Sequence, residues 1–157
     1  MFNKKGPTRF TSPIIRASAV TLFLHFAWEK FQCSPYFIHG AVPGSESFPM
    51  IRAALGDLLI TWTAYLGVVV VSRSWDWVIK TWSLKQWAAI FGQALIFSFS
   101  IEILALRTAR WSYTANNSLI PIIDVSALPV LQLLILFPLS FFILRLMIKK
   151  SLRENSL

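Results

Sequence analysis

Four apolar stretches, each about as long as a bilayer-crossing helix and each interrupted by polar groups, constrain this chain more than any other feature. They run over about 14–32 (IIRASAVTLFLHFAWEKFQ), 53–72 (AALGDLLITWTAYLGVVVVS), 87–106 (WAAIFGQALIFSFSIEILAL) and 128–148 (LPVLQLLILFPLSFFILRLMI). A helix needs roughly 20 predominantly apolar residues to cross the hydrocarbon core. These runs use up most of a 157-residue chain in which 55% of residues are hydrophobic and 14% charged, against roughly a quarter charged in ordinary soluble domains. The expected fold is therefore all-α, a four-transmembrane-helix bundle forming a single integral membrane domain over residues 1–157. Disorder and disulfide scaffolds are excluded by the apolar content and the single cysteine. Lys4, Lys5 and Arg9 ahead of the first run suit a signal peptide, but Trp28 to Gln32 offer no small-residue cleavage site. Pro138, inside the fourth run, is expected to kink its helix.

The net charge of +8 does not indicate a nucleic-acid partner, because the basic residues cluster at the ends of the apolar runs, where Lys and Arg fix membrane orientation. Eleven of them fall in the amino end (Lys4, Lys5, Arg9, Arg16), the 73–86 connection (Arg73, Lys80, Lys85) and the carboxyl end (Arg145, Lys149, Lys150, Arg153). Only Lys30, Arg52, Arg107 and Arg110 belong to the other two connections. Positive residues stay on the cytoplasmic side. Both termini are thus expected in the cytoplasm and the 33–52 and 107–127 loops outside. Trp75, Trp77, Trp82 and Trp87 on one side, and Trp28, Tyr36, Trp111 and Tyr113 on the other, suit two interfacial aromatic belts.

Ionisable groups inside a span cost about 3 kcal/mol each on insertion scales and need a partner or a purpose. Four stand out: His25, Glu29, Asp57 and Glu102. With the inferred orientation, the three acids lie within a turn or two of the outer boundary, His25 one turn deeper, and Gln132 at a similar depth in the fourth span. Ser18, Thr21, His25, Glu29 and Gln32 recur at spacings of three and four, one face of a helix; Asp57, Thr61 and Tyr65 form a second such stripe. Glu102 is expected to face inward with Ser98. Gly56 and Gly67 would let helices approach closely. Glu29, four residues from His25, is expected to orient one ring nitrogen and leave the other facing Asp57 or Glu102. Cys33 is expected to be a free thiol near the membrane surface.

These residues support acid–base chemistry on a lipid-soluble substrate, with His25, Glu29, Asp57 and Glu102 as catalytic candidates. Arg107, Arg110, Trp111 and Tyr113, dense in the outer loop, together with Gln132, are candidates for holding a polar headgroup. A ferritin-like dimetal site needs two Glu-x-x-His pairs, and with one histidine in the spans no metal or cofactor is assigned. No phosphate-cradling glycine loop, HExxH, GxSxG or CxxC is present. The alternative is structural: a polar layer that secures the bundle or docks a larger membrane protein, the chain being a non-catalytic accessory subunit. The expected partners are accordingly the bilayer and either a lipid-like small molecule or a membrane protein.

The segments H25-F-A-W28-E29, G56-D57-L-L-I-T61-W62, E102 with R107-T-A-R110-W111-S-Y113, and L128-P-V-L-Q132 resemble a group of small four-helix bacterial inner-membrane proteins, a resemblance that brings no activity with it. Glu102 and the Thr, Trp and Tyr after it are also similar to membrane carotenoid hydratases and cyclases, although the proline-flanked double acid of the lycopene cyclases is missing. That second likeness implies an isoprenoid-like substrate.

Overall fold

The computed structural model describes residues 8–39 and 47–154. In chain order they form α1 (Thr8–Tyr36), β1 (Phe37–His39), α2 (Ser47–Ser72), a 3-10 turn (Trp77–Ile79), α3 (Leu84–Arg107), β2 (Trp111–Tyr113), β3 (Leu119–Ile120), β4 (Val125–Ser126) and α4 (Ala127–Glu154). The architecture is a helical bundle. Each long helix contains its predicted run and extends past it, and α4 continues unbroken through Pro138. Lys4 and Lys5, counted above toward the inner side, lie outside the described residues.

Helix α2 packs on α1 and α3, and α4 closes the ring by packing on α3 and α1, with a smaller α2–α4 contact across the middle. Among the described residues, three helices are long and apolar enough to cross a membrane: Met50–Ser72, Leu84–Arg107 and Ala127–Glu154. Helix α1 is not among them, because Arg16, Glu29 and Lys30 dilute its apolar run. In α2 and α3 only 28% of the apolar stretch is buried within the protein, and Phe23, Leu59, Val70, Ile96 and Leu104 point outward. Apolar surface on this scale calls for hydrocarbon rather than water around it.

Local chemistry sets the ends of α3. The Ser83 N–H donates to Gln86 Oε1 at 2.7 Å, one half of a capping box. At the other end the Arg110 N–H reaches Ala105 O (2.9 Å) and the Ala109 N–H reaches Leu106 O (3.2 Å), the paired bonds of a Schellman stop with Ala109 at φ 51°. That reversal turns the chain into β2. Strand β2 pairs antiparallel with β1, Phe37 opposite Tyr113 and His39 opposite Trp111. The loops after α1 and after α3 are therefore joined at one end of the bundle. Asn117 Nδ2 and the Thr114 N–H, both donating to Tyr36 O, and the Thr114 hydroxyl, donating to Pro35 O, add to the junction.

The opposite end is plugged by Trp77. Its indole is fully buried against Tyr65, Trp82 and Phe141, and the 3-10 turn that carries it packs on α4 and α2. Trp77 is therefore a core residue and not part of an interfacial belt as expected: the turn folds back under the bundle and drives the ring inward. Trp75, by contrast, is exposed.

Candidate functional site

At the end of the bundle where β1 meets β2, the buried polar residues meet. His25, Glu29 and Gln32 from α1, Thr61 from α2 and Gln132 from α4 are all buried, and Asp57 is 16% exposed. The i, i+4 stripes of α1 and α2 face each other, so side chains dispersed through the sequence share one network.

Its polarity can be read from the donors. The Trp28 indole has an N–H and no acceptor, and it donates to Gln32 Oε1 at 2.9 Å. The Gln32 amide nitrogen is thereby turned toward Glu29 Oε1 (2.9 Å) and Gln132 Oε1 (3.1 Å). The Gln132 nitrogen in turn faces Asp57 Oδ2 (2.7 Å), His25 Nδ1 (3.2 Å) and Glu29 Oε1 (3.3 Å). The Cys33 thiol donates to Glu29 Oε2 at 3.2 Å. Cys33 is buried rather than a surface thiol, because it sits four residues on from Glu29 along the inward face.

His25 is fully buried, with Nε2 3.1 Å from Thr61 Oγ1 and Nδ1 3.4 Å from Asp57 Oδ2. The Thr61 hydroxyl gives its proton to Asp57 O at 2.7 Å, so it accepts from His25 and Nε2 carries hydrogen. The expectation that Glu29 orients the ring is thus corrected. Glu29 is occupied by Gln32, Cys33 and Gln132, and Thr61 holds the imidazole. Its other nitrogen does face Asp57, but not Glu102.

A cavity of about 580 Å³ opens beside this network. Glu29, Asp57, Glu102 and Gln132 line it, Gly56, Ile60 and Ile101 form part of its apolar wall, and Arg52, Arg110 and Trp111 lie around its loop end. His25 is not among the lining residues; it stands behind them. Glu102 is buried and accepts a hydrogen bond from the Tyr113 hydroxyl, which itself accepts from the Ser126 N–H at 3.0 Å. Burial, then the bond to Glu102, raises the Tyr113 phenol above its ordinary range.

No family model matches the chain, and neither a curated protein nor a solved structure matches it. The site therefore rests on its own geometry.

Of the nine residues singled out from sequence, Glu29, Asp57, Glu102, Arg110, Trp111 and Gln132 line the cavity, and His25 and Tyr113 bond to residues that do. Arg107 is exposed and not among the lining residues; it ends α3 before the Schellman reversal, which turns Arg110 and Trp111 back over the site and leaves Arg107 pointing away. Arg110 lies over the Trp111 ring at 5.6 Å. Trp28 and Cys33 were not read as members of the network, although both stand one helical turn from Gln32 or Glu29 and that spacing was available. Gly56 was expected at a tight helix contact, yet a methyl there meets nothing within 4 Å because it faces open space. Gly67 is the tight position: a Cβ would stand 2.0 Å from Gln93 Oε1, and Gln93 reaches across to donate to Ala64 O.

The lining thus gathers carboxylates from three helices, held by neutral amide, thiol and phenol donors, with a buried imidazole behind them, the residue types that acid–base chemistry uses.

Proposed function

We propose that this is a four-span inner-membrane protein, both termini cytoplasmic, whose cavity at the outer end binds an amphipathic lipid or isoprenoid, with Glu29, Asp57 and Glu102 as its acid–base groups. The observation that carries the reading is the cavity itself: about 580 Å³, within the range of small-molecule sites, and lined by carboxylates from three separate helices. Helix α1 crosses with the others despite its charges, because His25 and Glu29 face inward and Phe23 and Phe31 face outward. Its 29 residues extend about 43 Å, enough for the crossing. The orientation rests on the distribution of basic residues and is supported by the β1–β2 pairing, which puts the two lysine- and arginine-poor loops at one end. The resemblance of Glu102 and the following Thr, Trp and Tyr to carotenoid-modifying membrane enzymes favours an isoprenoid-like occupant.

A second reading, an accessory subunit with a purely structural polar layer, is favoured by one feature: Gln132 ties α4 to both α1 and α2. Native mass spectrometry of the protein released directly from membranes separates the two. The proposal expects an adduct of lipid mass, and a stoichiometric second polypeptide with no such adduct would overturn it in favour of the accessory role.

A further inference from the structure

With the His25 ring neutral and its hydrogen on Nε2, facing Thr61, hydrogen-bond acceptors in the polar network outnumber hydrogens. Gln132 has two amide hydrogens, but three acceptors lie within 3.3 Å of that nitrogen: His25 Nδ1, Glu29 Oε1 and Asp57 Oδ2. Gln32 has already committed its two hydrogens to Glu29 and Gln132. Among the described residues, Glu29 otherwise receives only the shared Gln132 amide and the Cys33 thiol, a weak donor. Glu29, 6% exposed, is thus poorly supplied, and it shares one wall of the cavity with Asp57. A buried carboxylate left short of donors is costly. A group entering from the cavity with several N–H donors and a positive charge would meet that deficit.

The loop end of the same cavity has the opposite character. Arg52 and Arg110 are exposed at its margin, and guanidinium forks suit phosphate oxygens. Between α2 and α3 the wall is apolar, formed by Ile60 and Ile101, and Gly56 leaves it open. The two helices are in contact lower down, where Gln93 fills the space above Gly67.

We propose that the occupant is a zwitterionic amphiphile with a phosphoethanolamine head, its primary ammonium on Asp57 and Glu29, its phosphate on Arg110 and Arg52, and its chains leaving between α2 and α3. This rests on the amphipathic-lipid arm of the proposed function, departs from its isoprenoid arm, and names the headgroup. The ammonium supplies three hydrogens and cancels charge; a trimethylated ammonium supplies none; a glycerol head has hydroxyl donors but leaves the lipid anionic.

The test uses the full chain in detergent with an equimolar mixture of phosphatidylethanolamine, phosphatidylcholine, phosphatidylglycerol and diacylglycerol of matched chains, read by native mass spectrometry. Phosphatidylethanolamine is expected to be retained at least about tenfold over each of the others, the scale of one charge-assisted hydrogen bond. Gly56→Phe, which fills the opening, is expected to abolish that retention, and Arg110→Ala to weaken it while keeping the preference over phosphatidylcholine. Equal retention of phosphatidylcholine or phosphatidylglycerol, with displacement by Gly56→Phe, overturns the ammonium assignment and leaves the cavity as a lipid site. Retention that Gly56→Phe does not change overturns both. Should Gly56→Phe fail to elute as a single folded species, the wild-type selectivity decides the headgroup, and Gly56→Leu decides the location.

Discussion

At the scale of single residues, Gln132 is where one truncation reaches the most partners. Gln132→Leu removes the donor facing Asp57, Glu29 and His25 and the acceptor used by Gln32, so a loss of about 1–3 kcal/mol is expected from orphaned buried groups. Gln132→Glu is expected to lose more, since it replaces the donor with a third carboxyl against two others. Thermal unfolding in detergent should rank wild type above Leu above Glu. Thr61 supplies a narrower case: Thr61→Val strands the His25 Nε2–H, whereas Thr61→Ser keeps its acceptor, so Val should unfold at the lower temperature. Tyr113 gives a pH prediction. Its folded pKa is raised above the ordinary value near 10, so its contribution to stability is complete below about pH 10 and declines as pH rises toward the folded pKa. Alkaline titration of tyrosinate absorbance should show a late-titrating tyrosine that Tyr113→Phe removes. Helical spacing revealed Thr61 and Gln32 in advance, but the Tyr113–Glu102 bond was hidden, because it depends on a chain reversal and not on periodicity.

At the scale of elements, the end of α3 is held in a conformation its sequence does not favour. Ala109 occupies the left-handed region at φ 51°, a position that glycine fills without steric penalty. Ala109→Gly is therefore expected to raise stability by about 0.5–1 kcal/mol, measured as a higher unfolding temperature with β2 undisturbed. The α2–α3 contact makes a paired prediction. Gly67→Ala forces Gln93 off Ala64 O and should destabilise, while the same change on a Gln93→Ala background should cost less, a coupling that a double-mutant cycle measures. The four helices were legible from hydropathy. The small strands and the Schellman stop were not, because two- and three-residue pairings without glycine carry no compositional signal, and Trp77 read as an interfacial residue because only the tertiary course of its turn buries it.

At the scale of the whole molecule, the orientation is open to a direct check. With Cys33→Ala as background, Asn116→Cys in the loop after α3 should react with a membrane-impermeant thiol reagent in intact cells, and Asp76→Cys, before the 3-10 turn, only after permeabilisation. The reverse pattern would invert the assignment of the cavity to the outer side. The arrangement also has a mechanical reading. Four rods packed in a ring can shear, as a hinged square flattens into a rhombus, unless something fixes a diagonal. Helices α1 and α3 stand across the ring, and the β1–β2 ribbon ties their neighbouring ends together. At the far end the turn bearing Trp77 lies against α2 and α4, the other diagonal. Each end is braced along a different diagonal, so the frame resists shear in either direction and the polar residues of the four helices are held in register.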